Sequence, residues 1–153
     1  MAELPSGLPE MVHDDEPVAR FVFSQKKEIS MAEPPGCLRP AAFLPNPRTS
    51  PLETSVFRHG EEPETDLWQI AKDRIPSRVP KGVGILTAHE VREAELDILA
   101  DEEPPSGPRH ANIVGWEIDG SDPKLNKADW KIRACIFASK AKLLKPYINS
   151  DDF

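Results

Sequence analysis

The chain has little of what metal-stapled and disulfide-stapled folds require. Its two cysteines, Cys37 and Cys135, lie far apart, and neither has a second Cys or a His at zinc-ligand spacing. A zinc ribbon or finger is excluded, no metal or cofactor is expected, and both thiols should be reduced, with Cys135 buried in an apolar helical pattern. Glycine is scarce at 8 residues, and no Gly-rich phosphate loop exists: Gly82-Val-Gly84 lacks its third glycine and Lys81-Gly82 has the wrong order. Neither a Gly-x-Ser-x-Gly elbow nor a His-Glu-x-x-His helix occurs. Apolar runs are short, so no segment is expected to span a membrane. The first 16 residues hold no Lys or Arg, the reverse of a secretory signal, which points to a cytoplasmic protein.

Proline, by contrast, is abundant. The 17 prolines are about 11% of the 153 residues, roughly twice average usage, which argues against a helical bundle or coiled coil. A 39% hydrophobic content closes one modest core, and the net charge of −7 leaves nothing global to attract a phosphate backbone. Residues 1–16 carry five acidic side chains broken by Pro5, Gly7 and Pro9, and read as a disordered tail. Residues 17–146 form the expected globular domain, and 147–153 a flexible end.

Period-two alternation over Val18–Ser24 predicts an inner strand. Leu38–Leu44 reads as a second extended segment, confined by Pro40, Pro45 and Pro47 to an edge or to polyproline II. Strand character resumes over Leu52–His59. Acidic residues and Pro63 before Leu67, Trp68, Ile70 and Ala71, with basic residues following, predict a helix over 64–75. Gly82–Thr87 reads as a strand, Thr87-Ala-His-Glu90 as a capping box, Leu96–Ala100 as a strand and Arg109–Trp116 as another. The fold class is α+β: a small, mostly antiparallel sheet packed by two main helices, rich in loops and proline.

The second of those helices is expected over about 123–145. At 100° per residue, Leu125, Ile132, Ile136 and Leu143 form one apolar stripe, taken as the core face, while Trp130, Phe137 and Leu144 form another. The second stripe packs against a neighbouring helix or meets a partner. Lys124, Lys127, Lys131, Lys142 and Lys145 share a third face, a solvated strip or a surface for an acidic partner such as nucleic acid. Seven Lys or Arg against two Asp give segment 120–146 a charge opposite to that of the acidic tail, so the tail is a candidate to fold back on this face.

Chemistry is sparser. Two Arg-His pairs, Arg58-His59 and Arg109-His110, suggest phosphoester chemistry, with His59 and His110 as acid and base and Arg58 or Arg109 holding the anion. Neighbouring residues in a strand face opposite ways, so both members of a pair reach one pocket only if the chain turns. His13 and His89 read as solvated.

Arg20-Phe-Val-Phe, Arg39-Pro-Ala-Ala-Phe-Leu-Pro45, Thr54-Ser-Val-Phe-Arg58, Leu67-Trp-Gln-Ile70 and Pro108-Arg-His-Ala-Asn-Ile-Val-Gly-Trp116 together resemble a group of small bacterial proteins with no activity attached. The resemblance spans about 18–145 and implies a bacterial single-domain protein. The ends fall outside it, and Glu117 stands where that group has proline. Read physically, the stiff Pro40–Pro47 segment carries Phe43 and Leu44, and Asn112 with Trp116 is placed on one strand face. The leading expectation is an accessory protein that binds another protein through Phe43, Trp116, Trp130, Phe137 and Leu144. The alternative is a phosphoester hydrolase or nuclease using the Arg-His pairs.

Overall fold

The computed structural model describes residues 4–30, 37–48, 51–58, 64–116 and 123–144. Among them, six strands form one sheet in which every neighbouring pair is antiparallel. In chain order these are β1 (Pro17–Val22), β4 (Thr54–Arg58), β5 (Gly82–Thr87), β6 (Asp97–Ala100), β7 (His110–Val114) and β8 (Lys142–Leu144), arranged β6-β7-β4-β1-β5-β8. The two-residue strands β2 (Ile29–Ser30) and β3 (Cys37–Leu38) pair separately. The helices are a single turn α1 (Gln25–Glu28), α2 (Glu64–Arg74), α3 (Ala88–Glu93) and α4 (Pro123–Lys140). The α+β class read from the sequence is the observed one. No helix among the described residues is long and apolar enough to cross a membrane.

Strand alternation sorts the core onto the two sheet faces. Val18, Val22, Val56, Leu86, Ala111 and Ile113 face α3, α4 and the 3-10 turn Pro40–Ala42, burying Phe43, Trp116 and Phe137. Ala19, Phe21, Phe57 and Val83 face α2 through Leu67 and Ala71. Thr87 caps α3 as expected, its hydroxyl accepting from Glu90 N–H while the Glu90 carboxylate accepts from Thr87 N–H.

Several expectations are corrected. The segment read as extended over Leu38–Leu44 is β3 followed by the 3-10 turn, because Pro40 suits the first position of a turn and Phe43 closes it by donating to Pro40 O. The last helix ends at Lys140, and the chain continues as edge strand β8. Its expected core stripe is wrong: Ile132 is 61% exposed, while Ala134 and Phe137 are fully buried and Trp130, Ala138 and Ala141 pack against them. The wider aromatic stripe wins because it fills more space against the sheet. Leu125 lies in α4, Ile136 is half-buried and Leu143 sits in β8. Cys37 and Cys135 are both free and exposed.

Residues 4–16, expected to be a disordered tail, are part of the fold. Val12 is buried in the core, and the Ser6 hydroxyl and N–H both donate to the buried Glu102 carboxylate. The fully buried Arg58 guanidinium donates Nε and Nη2 to Glu16 and Nη1 to Pro9 O. Arg92 donates to Asp14 and to Val12 O. The acidic segment therefore answers arginines on β4 and α3, and not the lysine face of α4.

Candidate functional site

His110 and Asn112 are polar residues two apart in an otherwise apolar strand, so they share the sheet face that Ser55 also occupies. The β4–β7 register puts Ser55 opposite Asn112 and Phe57 opposite His110. Ser55 Oγ lies 2.6 Å from His110 Nε2, and His110 Nδ1 lies 2.9 Å from the Asp101 main-chain oxygen. A carbonyl only accepts, so Nδ1 carries the ring proton and Nε2 of the neutral imidazole accepts from the serine hydroxyl. The Phe57 ring packs edge-on against the imidazole with centroids 5.5 Å apart, fixing its orientation. The Asp101 carboxylate stands 3.7 Å from His110 Nδ1 and accepts from Asn112 Nδ2 at 3.2 Å. This is a nucleophile, a base and a group that orients the base, the arrangement that activates a serine.

Arg20 supports the same place from beneath. The β1–β4 ladder ends after Val18↔Arg58 and Ala19↔Phe57. In the gap, Arg20 Nη1 donates to Ser55 O and Nε to Ala42 O, each at 2.9 Å. Burial lowers the Arg20 pKa, with Glu28 opposing that shift and Arg78 adding to it; an arginine so placed remains a cation. The guanidinium replaces a missing strand and holds the serine backbone.

Ser55, His110, Asn112 and Arg20 line a cavity of about 730 Å³, within the usual range for small-molecule sites. Leu44, Pro45 and Trp130 contribute apolar surface, and Lys127 and Lys131, one turn apart on α4, contribute positive charge. The Trp130 indole is tied by its N–H to Trp116 O at 2.7 Å. Asn112 Oδ1 is buried with no hydrogen-bond partner. Among the described residues no cluster of His, Cys, Asp or Glu is arranged to hold a metal ion.

Of the residues singled out from sequence, His110 is in this cavity and Arg58 is not. Arg58 sits on the opposite sheet face, where its guanidinium is occupied by Glu16 and Pro9 O, so it does not hold a substrate anion. Arg109 adopts a left-handed backbone, φ 68°, at the start of β7, and its carbonyl accepts from Arg58 N–H. His59 lies outside the described residues. Phe43, Trp116 and Phe137, assigned to a partner surface, are fully buried core, because the 3-10 turn and α4 close over them. Trp116 and Asn112 do not share a face: Trp116 joins the core on the α4 side. Leu144 is half-buried against the α2-side cluster, and Trp130 lines the cavity. Of the lysines, Lys127, Lys131 and Lys142 are exposed, the Lys124 side chain is not described, and Lys145 lies outside the described residues. Sequence reading missed Ser55, Asp101 and Arg20. The available signal was His110-x-Asn112, two polar side chains forced onto one face of a buried strand.

Compared with known proteins, the chain matches no family model, no curated protein and no solved structure.

Proposed function

We propose that this protein is a hydrolase or transferase acting on small phosphoesters, with Ser55 as nucleophile and His110 as general base. The observation that carries the reading is the 2.6 Å Ser55 Oγ–His110 Nε2 contact on an imidazole whose other nitrogen is held by Asp101 O. In the reaction, the Ser55 Oγ–P bond forms as the bond from phosphorus to the leaving oxygen breaks. The serine proton passes to Nε2 and then to the leaving oxygen. Water or an acceptor alcohol then releases the phosphoryl group, giving its proton to the same nitrogen. Lys127 and Lys131 supply the cationic wall that a phosphoryl group needs.

The test is labelling with a phosphonofluoridate, which marks serines activated by a neighbouring base, followed by peptide mass spectrometry. The expected result is an adduct on Ser55 that disappears in Ser55→Ala and falls at least about 100-fold in rate in His110→Ala, the scale of a general base. An unlabelled Ser55 in folded protein refutes the assignment.

A further inference from the structure

Asn112 holds an unmet valence that its surroundings explain. Its Nδ2 donates to the Asp101 carboxylate, which accepts only, so the amide cannot be turned over and Oδ1 must be the free end. Asn112 is 5% exposed, and a buried acceptor without a partner is costly unless something supplies a donor. Since Asn112 lines the cavity, that donor is an N–H or O–H of the ligand.

The rest of the cavity narrows the choice. Lys127 and Lys131 ask for an anion. Arg20 does not compete for it through Nε and Nη1, which are committed to Ala42 O and Ser55 O. Trp130, fixed by its bond to Trp116 O, faces the cavity together with Leu44 and Pro45, and these surfaces suit a flat, weakly polar body. A sugar phosphate meets the cations and the acceptor but leaves the apolar wall bare. Inorganic phosphate meets only the cations. A nucleoside monophosphate meets all three.

We infer that the cavity takes a nucleoside monophosphate whose heterocycle carries an amino group, with that amine donating to Asn112 Oδ1 and the phosphate held at Lys127 and Lys131. This rests on the phosphoester reading of the same cavity and adds the identity of the group that the phosphate is attached to. Paired amide recognition of adenine uses both ends of an asparagine; here only the accepting end is available, so Asn112 reads one donor.

Calorimetric titration of the full chain with adenosine 5′-monophosphate, the 6-amine-free purine riboside 5′-monophosphate, ribose 5-phosphate and inorganic phosphate tests this, repeated in Ser55→Ala to keep turnover out of the heat signal. Adenosine monophosphate should bind about tenfold more tightly than the amine-free nucleotide, the scale of one hydrogen bond to a buried acceptor, and more tightly still than ribose 5-phosphate. In Asn112→Leu the two nucleotides should bind alike; in Lys127→Ala/Lys131→Ala every phosphate should weaken. Equal binding of both nucleotides by the unaltered protein, or ribose 5-phosphate matching adenosine monophosphate, overturns the inference without needing a variant that folds. Reactive Ser55 with no nucleotide binding also overturns it while leaving the phosphoester chemistry standing. Amine-dependent binding with an inert Ser55 supports the inference and removes the chemistry.

Discussion

Replacing Arg58 by leucine should unfold the N-terminal half of the contacts before it touches any reaction. The Arg58 side chain is 0% exposed and that of Glu16 12%, and the two share a bidentate pair, with Nη1 adding a bond to Pro9 O at 2.6 Å. Leucine leaves the Glu16 carboxylate without its counter-charge and the Pro9 carbonyl without its donor. Breaking one side of such a buried pair costs about 3–5 kcal/mol, against a total stability of about 5–15 kcal/mol for an ordinary domain. With a urea slope of about 2 kcal/mol per molar, the unfolding midpoint should fall by about 1.5–2.5 M, and Tm by about 6–20 °C. Urea titration followed by tryptophan fluorescence measures this, since Trp116 is fully buried. The double variant Arg58→Leu/Glu16→Leu should recover about 1–3 kcal/mol relative to the sum of the singles, because the stranded charge is then gone. A single variant within about 1 kcal/mol of the parent, or strictly additive losses, would refute the buried-pair account.

The corrected face of α4 makes a paired prediction: Phe137→Ala should cost about 3–5 kcal/mol and Ile132→Ser less than about 0.5 kcal/mol, read by the same urea titration; the reverse ranking would restore the stripe first read from periodicity. Gly84→Ala should destabilise by about 1–3 kcal/mol, since the new Cβ would stand 2.6 Å from Leu38 Cδ1 and 3.0 Å from Phe43 Cζ; an unchanged melting temperature would show that this part of the core is loose. Glu93 has its pKa lowered, chiefly by the Lys140 hydrogen bond and then by His89. Its small contribution is therefore present above the unfolded-state pKa and lost as pH falls through the folded value. Carboxyl NMR titration should show the Glu93 midpoint moving up in Lys140→Ala, and a fixed midpoint would sever this link between α3 and α4.

Strands and helices were legible where a local rule sufficed. Alternation located β1, β4 and β7 to within a residue or two, and the Thr87–Glu90 capping box was visible because both partners lie within one turn. The face of α4 was not, because two apolar stripes competed and only the sheet's shape selects between Ile132 and Phe137. The acidic N-terminal segment misled for a related reason. Its charges look self-repelling in isolation, and their partners, Arg58 and Arg92, are long-range in sequence. The site was half visible: His110 drew attention as one of four histidines, yet it was paired in thought with an adjacent arginine that strand geometry sends to the other face. Ser55 is one of many serines until the β4–β7 register sets it beside His110.

That register has a practical corollary. Sliding β7 by one residue along β4 would turn the imidazole away from the hydroxyl, so a mispaired chain is chemically silent even if it is compact. Probe reactivity at Ser55 thus doubles as a readout of correct strand assembly, and during refolding it should rise with the slowest step that locks these two strands together.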